Sequence, residues 1–284
     1  MKRYKIVHQT QYEYSVPVQL LPHTLRLRPR EGHELRIESS KLDISPAATL
    51  RWRRDVEGNS VATATFNGST QRLSIMSEII IQQYDQAPLD FVVADYAVDY
   101  PFSYNEEEKL LLAPYMEATD DADAKPLSDW INAVWQSGES IQTFSLLLRI
   151  NLRIHQSFTY RRREEEGVQS ALRTLELGTG SCRDFVNVFL EVARKLGFAA
   201  RFVSGYMHFS SSSTQPGSTH AWVEIFIPGA GWKGFDPTIG NIVGAEHIAM
   251  AVAKSPESVP PVSGAYHGGP GSIMSVNVWV TELT

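Results

Sequence analysis

The sequence contains one cysteine among its 284 residues, Cys182. A single cysteine cannot form a disulfide within the chain, so nothing in the sequence calls for an oxidising compartment. The single cysteine also argues against a structural zinc site, because such sites need several Cys or His ligands that are closely spaced in the sequence. No pattern in the chain indicates a metal or a cofactor. The lone thiol is therefore either a small buried hydrophobic group or a reactive one.

Long apolar segments and an excess of positive charge are also absent. No run approaches the roughly 20 apolar residues of a membrane span, and no apolar core of signal-peptide length follows the basic start MKRYKIVHQ. The 26 Lys and Arg against 32 Asp and Glu give a net charge of −6. A general nucleic-acid-binding protein would need a basic face. We expect a soluble cytoplasmic protein with neither membrane nor nucleic acid as a partner, and of undetermined oligomeric state.

The first hundred residues carry the period-two alternation of half-buried strands, as in TLRLR over 24–28 and ELRI over 34–37. Turn residues EGNS separate RWRRDV from VATATF, which predicts a hairpin over 51–66. The run SIMSEIIIQQY, over 74–84, fits either a buried strand or a helix. Short strands without helices between them predict an antiparallel β-sandwich-like domain over 1–100.

Helical patterns follow an acidic segment, EATDDADAKP, which we interpret as part of a linker over 101–127. Ser128 is expected to cap a helix over SDWINAVWQ, and a second helical pattern covers 141–158. An α+β domain is expected over 128–284. Near its end SIMSVNVWVTEL alternates as a strand does, although the pattern does not indicate which sheet that strand joins.

The thiol of Cys182 lies where an apolar helix begins, after a Gly-Thr-Gly-Ser loop. Helical spacing of apolar residues continues to Leu196, and Gly197 is suited to end the helix. A lone cysteine is more often a buried structural group. Here the flanking glycine and serine disfavour an apolar niche, and the positive end of the helix dipole favours a thiolate. The N–H groups of the first turn would also stabilise an oxyanion.

A thiol nucleophile needs a base, and the base needs an orienting group. Of the eight histidines, His220 begins the strand pattern THAWVEIFI. A turn over 227–231 would pair Phe226 with Trp232, and we expect the same register to put His220 opposite Asp236. The carboxylate would then fix the imidazole tautomer.

Two alternatives remain for these positions. His208 ends the preceding strand pattern, AARFVSGYMH, and the loop 209–218 would bring it near the thiol, but no carboxylate is predicted opposite it. Asp236 by itself is typical of a turn residue, since it stands in Asp-Pro-Thr. The expected thiol–imidazole distance between Cys182 and His220 is within about 4 Å.

The motifs G-x-C-R-D-F, AARFVSGY and THAWVEIFIPGAGWKGFDPT, in this order, resemble the transglutaminase-like superfamily. More narrowly, they resemble bacterial members described as candidate cysteine proteases, whose β domain begins similarly to HQTQYEYSVPVQLLPHTLRLRPR. The resemblance implies a papain-like fold, with the nucleophile's helix packed on an antiparallel sheet. It also implies Cys182 as nucleophile, His220 as base and Asp236 as orienter, without a cofactor or metal.

The implied activity is thiol-dependent acyl transfer on amide bonds of peptides or proteins, through a thioester. Transfer of the acyl group to water would make the protein a protease or amidase, whereas transfer to an amine would make it a transglutaminase. The sequence does not distinguish these outcomes. A binding module that kept the fold without catalysis is the remaining alternative.

Overall fold

The structure is a computed structural model that describes residues 1–84, 88–118, 124–163, 165–209 and 219–283. Parts of the acidic linker segment and of the loop 209–218 lie outside the described residues. Within the described ranges, no helix is both long and apolar enough to cross a membrane.

The chain is a mixed α+β protein with mostly antiparallel sheets. The strands are β1 (Lys2–Leu20), β2 (His23–Leu25), β3 (Leu35–Ser45), β4 (Ala48–Arg54), β5 (Ser60–Phe66), β6 (Thr70–Gln83), β7 (Asp99–Tyr100), β8 (Ile141–Gln142), β9 (Thr159–Tyr160), β10 (Thr179–Gly180), β11 (Ala200–Met207), β12 (His220–Ile227), β13 (Gly231–Asp236), β14 (Asn241–Ile242), β15 (His247–Ala253), β16 (Val262–Ser263), β17 (Tyr266–His267) and β18 (Ser272–Leu283). The helices are α1 (Glu106–Met116), α2 (Lys125–Asn132), α3 (Thr143–Ser157), α4 (Ala171–Leu177) and α5 (Cys182–Lys195).

The N-terminal strands form the expected β sandwich. One sheet has the order β17-β1-β6-β3 and the other has the order β16-β2-β5-β4. Apolar side chains from both sheets, including Leu25, Ala62, Leu73 and Ile75, share one buried core. The ambiguous run over 74–84 belongs to a strand, β6, and β4 and β5 form the predicted hairpin.

The last strand closes the first sheet. β18 pairs antiparallel with β1 in continuous register from Arg3↔Leu283 to Tyr14↔Ser272. β16 and β17 also pair with N-terminal strands. Sheet membership therefore crosses the domain boundaries expected from the sequence, because the end of the 128–284 segment completes the N-terminal sandwich.

A third antiparallel sheet, of order β14-β13-β12-β11-β15, carries the C-terminal core. α5 packs on one face of this sheet. Val188 and Phe189 of the helix share a buried core with alternate residues of β12 such as Val223 and Ile225. The N-terminal sheet packs against β11 and β15, where Tyr4 and Ile6 meet Tyr206 and Ile248. The helix-on-sheet packing confirms the predicted fold class.

Two helix expectations need correction. α2 begins at Lys125, so Ser128 lies inside the helix and does not cap it. Pro126 in the first turn explains the earlier start, since its fixed φ and missing N–H suit that position. The segment interpreted as a linker also contains α1, which begins with a capping box between Asn105 and Glu108.

Candidate active site

Cys182 is the first residue of α5, as its position after the glycine loop predicted. Its side chain is partly exposed and packs at the margin of the C-terminal core. The first N–H groups of a helix have no partner within it, so they are available beside the sulfur. The thiol is thus half-buried at the first turn of the helix.

The loop before the thiol is held by Asp184, which is fully buried. Its Oδ2 accepts hydrogen bonds from the N–H and the hydroxyl of Ser181, both at 2.8 Å. Arg163 Nε donates to the same oxygen at 3.0 Å, and the Gln169 N–H donates to Oδ1 at 2.8 Å. A Cβ on Gly180 would lie 2.9 Å from Asp184 Cβ, so this close approach requires glycine.

His220 and Asp236 are hydrogen-bonded, with His220 Nε2 donating to Asp236 Oδ2 at 2.6 Å. The expected register was only half right. Phe226 does pair with Trp232. When this antiparallel register is continued along both strands, Asp236 lies opposite Trp222, which is two residues from His220. Because the error is two residues, both side chains still share a face of the sheet, and the contact is diagonal.

The hydrogen-bond chain reaches the thiol. The His220 side chain is hydrogen-bonded to Asp236 and to Cys182. Because Nε2 donates to the carboxylate, Nδ1 is the nitrogen that remains for the sulfur. Burial would lower the pKa of His220, but the bonds to Asp236 and Cys182 outweigh it and raise that pKa to about 10. The geometry therefore favours an imidazolium at neutral pH.

The pKa of Asp236 is also set by this network. Burial alone would raise it, but the hydrogen bonds from His220 and His247 hold the pKa of the carboxyl well below its usual range. Its second oxygen, Oδ1, accepts the N–H of Thr238 at 2.9 Å. The carboxylate therefore remains charged and has donors on both oxygens.

His247 is the site residue that the sequence reasoning missed. Its Nε2 donates to Asp236 Oδ2 at 3.1 Å, and its Nδ1 accepts the N–H of Gly244 at 3.2 Å. It lies on β15, which pairs with β11 and not with the sequence-adjacent β14. No local sequence pattern predicts the pairing of β15 with β11. The one sequence feature that could have pointed to His247 is the presence of another histidine after the Asp-Pro-Thr motif.

His220, Asp236 and His247 bring possible metal ligands within 4.8 Å of one another. Tetrahedral zinc with bonds of about 2.0–2.1 Å would hold its ligand atoms roughly 3.3 Å apart. The 2.6 Å contact between His220 and Asp236 is shorter and fits a direct hydrogen bond. Both Nε2 atoms point their protons at one carboxylate oxygen, so we interpret the group as a hydrogen-bond network.

The alternative base, His208, lies elsewhere. Its ring packs on Tyr4 of the N-terminal sheet, with centroids 5.0 Å apart, and its backbone N–H donates to the carbonyl of Glu246. The structure therefore brings together Cys182, His220 and Asp236, while His208 contacts the other sheet.

Comparison with known proteins gives matches in two parts of the chain. Residues 4–82 match the bacterial transglutaminase-like N-terminal region, and residues 135–237 match the transglutaminase-like superfamily. The second match spans the thiol, the histidine and the aspartate described above.

Similar proteins cover essentially the whole chain. An uncharacterized protein of Mycobacterium tuberculosis H37Rv is 27% identical over 99% of this chain and 93% of its own. One from Mycobacterium leprae is 23% identical over 100% of both. The crystal structure of a proposed cysteine protease from Cytophaga hutchinsonii matches with a TM-score of 0.72 and 17% identity, over 100% of this chain and 91% of that one. The last similarity shows that the two chains share a fold.

Proposed function

Because the chain belongs to the transglutaminase-like superfamily, we propose that it is a thiol enzyme that cleaves amide bonds of peptides or proteins. Cys182 would be the nucleophile, His220 the acid and base, and Asp236 the residue that orients the imidazole. The observation that supports this most is the continuous chain of contacts from Asp236 through His220 to Cys182.

In the first half of the proposed reaction, the Cys182 thiolate attacks the carbonyl carbon of the amide. A C–S bond forms and the carbonyl electron pair moves onto oxygen, beside the N–H groups at the start of α5. When the tetrahedral intermediate collapses, the C–N bond breaks, and the His220 imidazolium gives the Nδ1 proton to the leaving amine. The products are a free amine and a thioester.

In the second half, His220 is neutral at Nδ1 and takes a proton from an incoming nucleophile. Attack of water on the thioester breaks the C–S bond and releases a carboxylic acid, whereas attack of an amine gives a new amide. Asp236 stays ionised throughout and stabilises the imidazolium. The lone cysteine needs no oxidising compartment, so we place this chemistry in the cytoplasm.

Covalent labelling and turnover test the proposal. A peptide vinyl sulfone should label the native chain at Cys182 and leave Cys182→Ala unlabelled. Digestion of casein by the native chain, absent in Cys182→Ala, would identify a protease. Incorporation of a fluorescent primary amine into casein would instead identify a transglutaminase. A folded native chain that is neither labelled nor active in either assay would refute the enzymatic proposal. The alternative, a binding module without catalytic activity, would then be favoured.

A further inference from the structure

We propose that His247 is a positioning residue of this thiol site, and that it holds Asp236 Oδ2 in place for His220. The inference rests on the proposed function, in which Asp236 orients the base. Oδ2 is the oxygen to which His220 donates at 2.6 Å, and His247 donates to the same atom at 3.1 Å. A carboxylate oxygen has lone pairs for both donors.

The hydrogen-bond partners of His247 define its tautomer. Asp236 is an acceptor, so Nε2 carries the proton, and the Gly244 N–H requires a lone pair on Nδ1. This is the neutral imidazole. A second proton, on Nδ1, would oppose the Gly244 N–H and would place a second cation beside His220, whose ring centroid is 6.2 Å away. His247 therefore differs in role from His220, although both contact one oxygen.

A β-bulge directs His247 to the site. In the β11–β15 pairing, Ser204 pairs with Ala251 but Gly205 pairs with Ala249, so Met250 is the extra residue. The bulge reverses the alternation of β15, and His247 consequently shares a face with Ala249 and with His220, which also pairs with Gly205. Bulges beside functional sites commonly re-aim a side chain in this way.

The surroundings of His247 fix it further. Its ring packs edge-on against Trp222, with centroids 5.2 Å apart, and only 3% of its side chain is exposed. Asp236 on β13 and His220 on β12 are the charged groups in direct contact with its ring, and Arg30, Glu34, Glu224 and Lys233 line the same cavity. Its neighbour Glu246 carries a charge that Lys2 of β1 balances at 2.8 Å. A buried ring with both nitrogens bonded has little freedom to turn.

The N-terminal sandwich fastens the strand that bears His247. The side chain of Asn59 accepts the N–H of Val252 at 2.9 Å and donates to its carbonyl at 2.8 Å. The Arg30 N–H donates to the carbonyl of Ala249 at 2.9 Å. β15 is thus hydrogen-bonded to β11 on one edge and to N-terminal residues on the other. The N-terminal domain therefore helps to position the strand that carries His247.

Two matched substitutions test the role. In His247→Gln the side-chain N–H reaches the position of Nε2, whereas in His247→Asn the amide is too short to reach Asp236. His33→Gln, at a fully exposed histidine side chain, is the surface control. The readout is the rate at which iodoacetamide alkylates Cys182 across pH 5–10, which needs no substrate, together with the turnover of casein in the assays described above.

We expect His247→Asn to slow alkylation roughly tenfold at neutral pH, because a hydrogen bond to a charged group is lost and the imidazolium is held less well. The rates should converge at high pH, where any thiol ionises. His247→Gln should stay near the control. In an Asp236→Ala background, His247→Asn should have no further effect, since its target is gone.

Equal alkylation profiles for the Gln and Asn variants, or a full effect of His247→Asn without Asp236, would overturn the inference. The two proposals fail separately. An alkylation response without amide turnover would refute the proposed function alone, and Cys182-dependent turnover with indistinguishable Gln and Asn variants would refute the role of His247 alone.

Discussion

Asp236→Asn is expected to lower the pKa of His220 while preserving the shape of the site. The carboxylate has donors on both sides, from His220 and His247 at Oδ2 and from the Thr238 N–H at Oδ1. An asparagine has only one oxygen. Its NH₂ group must face either the Thr238 N–H or the two imidazoles, and the second choice forces His220 to carry its proton on the wrong nitrogen.

The magnitude follows from the lost bond. A hydrogen bond to a charged partner contributes about 1.5–3 kcal/mol, and one pKa unit corresponds to about 1.4 kcal/mol. The pKa of His220, about 10 in the native chain, should therefore fall by roughly one to two units in Asp236→Asn. Turnover should fall by about 10²–10⁴-fold, as expected when the base has the wrong tautomer.

Nuclear magnetic resonance of the ring nitrogens in ¹⁵N-histidine-labelled protein measures this directly, with His220→Gln to assign the signal. His33→Gln provides a spectrum in which the His220 signal should not move. An Asp236→Asn protein with native turnover and an unchanged His220 titration would show that the aspartate is only a turn residue.

Three further predictions concern stability. The pKa of His220 is raised above its ordinary value of about 6.5, so its ion pair should stabilise the fold fully below that pH and lose this contribution as pH rises through about 10. The melting temperature of the native chain should accordingly fall more between pH 6.5 and 10 than that of His220→Gln, and parallel curves would contradict this. Asn59→Ala should lower the free energy of unfolding by about 2–4 kcal/mol in urea titrations, because both backbone groups of Val252 lose their partner; a loss below 1 kcal/mol would show that water replaces the amide. Gly205→Ala should cost about 1–3 kcal/mol or more, since its Cβ would collide with the ring of Trp222 and with the carbonyl oxygen of Ile248. A melting temperature equal to the native value would show that both the ring and β15 can move aside.

The local parts of the fold were predictable because their signals are local. The glycine loop and the helical spacing placed Cys182 at the start of α5, and alternation located β12 with His220 at its first residue. The prediction that His220 and Asp236 share a face of the sheet is also correct, but beyond the Phe226↔Trp232 pair the predicted register is wrong by two residues. Period-two geometry kept the conclusion intact despite that error.

The parts that could not be predicted depend on long-range pairing. His247 reaches Asp236 only because β15 pairs with β11 and contains a bulge at Met250. A bulge of this kind leaves no reliable mark in the sequence, as the local residues IAMAVA suit a regular strand. The predicted start of α2 is wrong for a different reason: Ser128 is a residue type that commonly caps helices, but Pro126 suits the first turn of a helix that begins at Lys125.

The pairing of β18 with β1 has a consequence for how the chain acquires its structure. The partners in this ladder, such as Arg3 and Leu283, stand at opposite ends of the sequence. During synthesis β1 emerges early, but the edge that it offers to β18 stays unpaired until β18 has left the ribosome. Contacts of such sequence separation slow folding, and open strand edges invite association with other chains. We expect the sheet β14-β13-β12-β11-β15 to form before β18 closes the N-terminal sandwich.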